Sequence, residues 1–304
     1  MSNYSEKEGA CMMAYTKLGP CYHVWTPENF EIIFRCANDF QKGMDIMAIS
    51  AKLFPDVKVI TYELMTNHLH IMAAGELAEI KGMLGFIRRM LRQMTVADGR
   101  TINWNMFTPG IRQITDLNDA RNVLIYDNRN GFLVRPDHTP FSYPWGANIC
   151  FFNPCYQQLF TSSSTNSTYR ERREITHSHL SDNLQGLRRL GGCISPLSFC
   201  DIEAGEHLFR DASHYFYLLG KSIEQNCSIA REIGESVSYT EEELYAAVCS
   251  RCKKEYGTIN PTQISSEEKI FMAKLMHNEF NATTKQIQRM LRLDGMILKT
   301  LFGN

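Results

Sequence analysis

The stretch Tyr62-Glu63-Leu64-Met65-Thr66-Asn67-His68-Leu69-His70-Ile71-Met72 decides how this chain folds. Residues 57–65, which enter it, are β-branched and alternating, the pattern of a strand. Thr66-Asn67 makes a tight connection and residues 68–73 form a second strand, so the two pair as a hairpin. Side chains alternate faces along a strand, so His68 and His70 point the same way, ~7 Å apart, while Leu69 faces the core. Two imidazoles at that spacing suit one divalent metal ion, and two surface or hydrogen-bonded histidines are the plain alternative.

Outward from the hairpin the elements are mixed. Cys21-Tyr22-His23-Val24-Trp25 is a short β-prone run stopped by Thr26-Pro27, where Thr26 is expected to cap a helix carrying Phe30, Ile33, Phe34 and Ala37 on one face. Residues 76–94 read as an amphipathic helix with Ile80, Leu84, Ile87 and Leu91 inward and Arg88, Arg89 and Arg92 outward. A strand is expected over residues 107–114, and Asp116 caps a helix that runs to about Asn128, where Asn128-Arg129-Asn130-Gly131 ends it. Strands and helices in this order predict an α+β unit.

Residues 161–168 are Ser/Thr-rich and 170–174 charged, which reads as an exposed connector. Helical pattern follows over residues 204–220 and 240–256 and in three short pieces over 265–302. The organisation expected is therefore a unit over residues 1–155, a connector over 156–200 and an all-α unit over 201–304.

Composition narrows the classes. With 304 residues, 44% hydrophobic and 21% charged, the chain is that of a globular protein and not a disordered or collagen-like one. No apolar run reaches the ~18 residues of a membrane span, and the N-terminus lacks the order of a signal peptide, so a cytoplasmic protein without a membrane partner is expected. A net charge of −1 excludes a bulk polycation, so any affinity for nucleic acid has to come from local patches. Residues 76–135 carry nine Lys/Arg against six Asp/Glu, and residues 251–304 nine against five. The ten cysteines are scattered, and Cys249-Ser250-Arg251-Cys252 has no second pair, so it reads as a helix carrying two thiols.

Four segments together resemble the HUH single-tyrosine transposases, in particular the REP-associated tyrosine transposases and their insertion-sequence relatives. The stretch from Tyr62 to Met72 is similar to that family's strand-turn-strand signature, with Leu69 between the two histidines. Cys21-Tyr22-His23-Val24 matches its opening strand, residues 112–134 look like its nucleophile helix and the turn after it, and Phe141-Ser142-Tyr143-Pro144-Trp145 is similar to the segment that closes its domain. The resemblance covers about residues 14–150. It implies a ferredoxin-like antiparallel sheet with helices on one face, acting on single-stranded or hairpin DNA, often as a homodimer. It further implies cleavage and rejoining through a phosphotyrosine, assisted by Mg²⁺ or Mn²⁺ on His68, His70 and Asn128.

The nucleophile departs from the family pattern. The family's tyrosine lies four residues before the Asn, and that position is Leu124 here. Tyr126 stands two residues before Asn128, about 200° away on a regular helix, so it would face away from an ion held by Asn128. Three alternatives follow: an irregular helix in which Tyr126 attacks, another tyrosine, or a domesticated DNA-binding protein that has lost cleavage.

The last three helical pieces have helix-turn-helix spacing, with Lys285 and Arg289 placed to meet DNA; a plain three-helix packing unit is the alternative. Arg88, Arg89, Arg92, Arg112 and Arg121 are the candidate phosphate contacts of the first unit, against the plain reading of solvated helix faces.

Overall fold

A computed structural model of the chain describes residues 2–27, 30–134, 143–162, 186–232, 241–278, 282 and 284–302. In order, the first compact unit contains α1 (Ser2–Leu18), β1 (Cys21–Trp25), α2 (Ala37–Leu53), β2 (Lys58–Leu64), β3 (Leu69–Ala74), α3 (Leu77–Ala97), β4 (Gly110–Ile114), α4 (Leu117–Val134), α5 (Pro154–Ser162), a small ribbon of β5 (Arg189–Leu190) and β6 (Cys193–Ile194), and α6 (Ile202–Glu206). It closes with the part of α7 (Ala212–Glu232) that ends at Gly220, while the last two residues of α4, Leu133 and Val134, group with the second unit. The class is α+β, as the sequence predicts.

The hairpin forms where expected, with the Met65 amide donating to the His68 carbonyl across the turn at 2.8 Å. Strands β1 to β4 make one antiparallel sheet in the order β2-β3-β1-β4. Its register sets Trp25 opposite His70, His23 opposite Met72, Glu63 opposite His70 and Arg112 opposite His23. By the two-residue alternation, one face of the sheet therefore carries Thr61, Glu63, His70, His23, Trp25 and Arg112, and the other carries Tyr62, Leu64, Leu69, Ile71 and Val24.

The apolar face is covered by α2, where the Tyr62 hydroxyl donates to Met44 Sδ at 2.8 Å and Gly43 leaves room for Phe34 and Leu64. Helix α3 packs on α2, burying Ile80, Met83, Leu84, Ile87 and Leu91, the stripe read from its periodicity. The polar face is covered by α4, whose N-terminus is capped as expected by Asp116 accepting from the Asp119 amide at 2.9 Å. Helix α1 is tied to α4 by Arg121, buried, which forks onto Glu8 at 2.7 and 3.2 Å and donates to the Leu208 carbonyl at 2.6 Å.

Two local expectations are corrected. The helix read after Thr26-Pro27 begins only at Ala37, because the Ile33 and Phe34 amides both donate to the Thr66 carbonyl at 2.8 Å and fold residues 30–36 against the hairpin turn. Thr26 Oγ1 instead accepts from the Leu69 amide at 3.0 Å. Helix α4 also runs through Asn128-Arg129-Asn130-Gly131 to Val134, because Gly131 sits where a side chain would strike Glu63 and Tyr143 and so serves packing rather than termination.

The compact units divide elsewhere than at residues 155 and 200. Residues 186–220 belong to the first unit: Leu187 and Ile194 pack on Ala48 and Ile49 of α2, and Cys200 bridges to Val59 at the edge of β2. The Ser/Thr-rich run from 163 onward and Phe141-Ser142 lie outside the described residues.

The described part of the second unit is all helical: the remainder of α7, then α8 (Glu241–Tyr256), α9 (Ser266–Asn278), α10 (Thr284–Leu291) and α11 (Gly295–Phe302). Ser265 and Glu268 form a reciprocal capping box at the start of α9, with bonds of 2.7 and 3.3 Å. Leu244, Val248, Cys252, Met272, Met276, Ile287, Leu291 and Leu298 make its core. Cys252 is one of these core side chains and Cys249 is half-buried, in keeping with two thiols on a helix. No described helix is long and apolar enough to cross a membrane.

Candidate metal centre

The polar face of the sheet and α4 enclose a group of ionisable side chains. His23 enters from β1, His70 from β3 and Asp127 from α4, and one ligand atom of each lies within 4.8 Å of the others. All three are buried, His70 at 2% and Asp127 at 0% exposure. Asp127 Oδ1 stands 3.0 Å from His23 Nε2 and 3.7 Å from His70 Nδ1, and the two imidazole rings lie nearly parallel at 5.8 Å. The sequence explains the convergence: β1 and β3 are neighbours, their register pairs His23 with Met72 and Trp25 with His70 so that both histidines share one face, and Asp127 falls on the stripe of α4 that also buries Ala120, Val123 and Leu124.

Burial sets the electrostatics. It holds the His70 imidazolium well below its usual range, helped by the charges of His68, His23 and Arg129, so His70 is a neutral donor. Burial also raises the Asp127 carboxyl, an effect that the His23 hydrogen bond and charge oppose. Beyond the 3.0 Å contact of His23 Nε2 with Asp127 Oδ1, neither His70 ring nitrogen nor Asp127 Oδ2 makes a hydrogen bond of good geometry among the described residues. Such a set of orphaned buried polar atoms is costly unless something else satisfies them. Two imidazoles and a carboxyl group are the donors of a divalent transition-metal site, and the residues present fit such an ion.

The sequence placed the ligands differently. His70 is in the cluster. His68, just ahead of β3, is buried with Nδ1 2.6 Å from Asn67 Oδ1 and its ring edge-on to His70 at 5.0 Å, but it is not one of the three converging side chains. Asn128 is corrected outright as a ligand: its Oδ1 accepts from Thr61 Oγ1 at 2.6 Å and its Nδ2 donates to the Tyr215 hydroxyl at 2.9 Å, so its amide points into the core. The helical angle argued from sequence thus holds with its consequence reversed. Asn128 turns its amide to Thr61 and Tyr215, and Tyr126 stands edge-on to His70 at 5.5 Å and to His23 at 5.9 Å. Leu124, at the family's tyrosine position, is fully buried in the core. His23 and Asp127 were missed; the signal for them was a histidine at an alternating position of β1 and a carboxylate on the apolar stripe of α4.

The arginines separate. Arg88 donates to the Trp104 carbonyl, Arg89 lies over the Phe86 ring at 5.0 Å, and Arg92 is exposed; all three are on α3, on the side of the sheet away from the histidines, so they are corrected as contacts of this site. Arg112 is on the right face but forks onto Asp119 at 2.7 and 2.9 Å, and Arg121 is the structural tie to Glu8. Arg289 is exposed on α10 of the second unit, and the Lys285 side chain lies outside the described residues.

Glu63 adds an acid to the same face. It is fully buried between Gly131 and Gly146, and burial, then the nearby Asp127 carboxyl, push its own carboxyl well above the usual range. A raised folded value favours the folded state below the unfolded value of about 4.3, and that advantage is lost as pH climbs toward the folded value, at about 1.4 kcal/mol per pH unit. Glu63→Gln removes the titration. Thermal melts from pH 4 to pH 8 should show the variant gaining on the wild type by at least about 1.4 kcal/mol as pH rises. A difference independent of pH would contradict the burial argument.

Comparison with protein-family models, curated proteins and solved structures finds no significant match to the chain.

Proposed function

We propose that this chain is a DNA-acting protein of the HUH single-tyrosine type, which cleaves and rejoins single-stranded DNA with Tyr126 as nucleophile. The reading rests above all on one observation: α4 carries Asp127 to the two histidines and the adjacent Tyr126 ring to 5.5 Å from His70. The element order β1-α2-β2-β3-α3-β4 with spatial order β2-β3-β1-β4 supports a ferredoxin-like core, with α2 and α3 on one face and the histidines on the other.

His23, His70 and Asp127 would hold the divalent ion, and this donor set favours Mn²⁺ over Mg²⁺ because imidazole is a poor partner for the harder cation. When bound, such an ion supplies Lewis-acid polarisation of a scissile phosphate. The Tyr126 oxygen attacks phosphorus and loses its proton, the bond from phosphorus to the 3′ oxygen breaks, and that oxygen takes up a proton to leave as a free 3′-hydroxyl. Attack by that hydroxyl on the phosphotyrosine rejoins the strand and returns the phenol. The helical second unit, with exposed Arg289 on α10, would supply a duplex or hairpin contact in the manner of a helix-turn-helix.

Incubation of the full chain with Mn²⁺ and a labelled pool of hairpin and single-stranded oligonucleotides should give a metal-dependent covalent adduct, and peptide mass spectrometry should map it to Tyr126. An adduct on another tyrosine would overturn the nucleophile. DNA binding with no adduct would favour the second reading, a domesticated binding protein, for which the burial of Leu124 at the family's tyrosine position speaks.

A further inference from the structure

We propose that Arg129 is the phosphate-binding residue of this site, an oxyanion clamp that holds the backbone phosphate of a DNA strand against Tyr126. The proposal rests on the reading of Tyr126 as the group that meets the phosphate and adds what fixes that phosphate in place.

Its basis is position and chemistry. Arg129 lies one turn beyond Tyr126 on α4, and its guanidinium carbon sits 4.8 Å above the centre of the Tyr126 ring. Residues three apart on a helix share a face, so the cation and the phenol are presented together. The Tyr126 ring under Arg129 stands 5.5 Å from the His70 ring, so the guanidinium lies over the tyrosine that borders the metal cluster. It is half-buried, where a charge-assisted bond is less screened than on the open surface.

The site needs a cation of this kind. Asp127 and Glu63 put two buried carboxyl groups on this face, and an approaching phosphodiester brings a negative charge to it. A guanidinium over an aromatic ring is oriented by it, and its planar fork matches two oxygens of a phosphate, which an ammonium cannot do. Tyr126, Arg129 and the histidine cluster then bracket one phosphate from three sides, with the nucleophile, the clamp and one metal ligand, Asp127, all set by α4.

The test uses the full chain, free of metal, titrated with inorganic phosphate and followed by ³¹P NMR. Wild-type protein should bind phosphate. Arg129→Gln should weaken binding by about 10- to 100-fold, and Arg129→Lys by less, because it keeps the charge and loses the fork. Lys81→Gln, on α3 at the other side of the sheet, should leave binding unchanged. Thermal midpoints within a few degrees of wild type verify folding, and Arg129→Lys provides the reading if Arg129→Gln fails to fold.

Phosphate affinity within twofold of wild type in Arg129→Gln, or no binding by the folded wild-type chain, overturns the proposal. The DNA adduct assay separates the two readings. Arg129-dependent phosphate binding with no adduct sinks Tyr126 as nucleophile and leaves the clamp standing. An adduct forming at wild-type rate in Arg129→Gln sinks the clamp and leaves the nucleophile.

Discussion

Tyr126→Phe should abolish the covalent DNA adduct, by more than about a thousandfold, because it removes the only atom of that side chain able to form the bond to phosphorus. The substitution retains the ring, and with it the edge-on contacts to His70 and His23 and the stacking under Arg129. Metal binding and thermal midpoint should therefore stay close to wild type, which separates loss of the nucleophile from loss of the site. Electrophoresis of labelled oligonucleotide under denaturing conditions measures the effect. An adduct that persists in Tyr126→Phe moves the chemistry to another residue.

Gly131→Ala should destabilise the first unit by about 3 kcal/mol, the upper end of what overpacking costs. A Cβ at this position would lie well inside contact distance of Glu63 Oε1 and of the Tyr143 ring. Neither neighbour can step aside cheaply. Glu63 is pinned on its other side by Gly146, and the buried Tyr143 hydroxyl donates to the Leu64 carbonyl at 2.5 Å. At roughly 2–4 °C per kcal/mol for a unit of this size, the midpoint should fall by roughly 6–12 °C. Glu63→Ala in the same chain should recover part of that loss, because it removes one of the two clashes. A melt unchanged by Gly131→Ala would mean that α4 does not lie as close to the sheet as described.

The reading of the hairpin and of α3 from sequence rests on local pattern, and both elements stand where that pattern puts them. Alternation over residues 57–65, a two-residue turn and a periodic apolar stripe are each visible within a dozen residues. The ligand set is not of that kind. His23 and Asp127 meet His70 only because β1 pairs with β3 in one register and α4 crosses the polar face at one angle, and neither is written in a local window. Of the H-x-H pair, His70 lies in the buried His-His-Asp group and His68 beside it. His68, just outside the strand, lies with its ring 5.0 Å from that of His70 but is not one of the three converging side chains.

The end of α4 shows the same limit. Asn-Arg-Asn-Gly is strong terminator chemistry, but a glycine in a helix can also mark a close approach, and Gly131 faces Glu63 and Tyr143. The start of α2 was displaced by tertiary hydrogen bonds to the Thr66 carbonyl, which override the Thr-Pro capping signal.

The most direct test of this account is a metal titration of the full chain and five single variants with Mn²⁺, by calorimetry at pH 8, where the raised Asp127 carboxyl competes least with its proton. One ion per chain is expected. His23→Ala, His70→Ala and Asp127→Asn should each weaken it by at least about 100-fold, whereas Asn128→Ala and His68→Ala should weaken it by less than about tenfold. Tight binding that survives His23→Ala and Asp127→Asn but is lost in His68→Ala or Asn128→Ala would contradict the centre described.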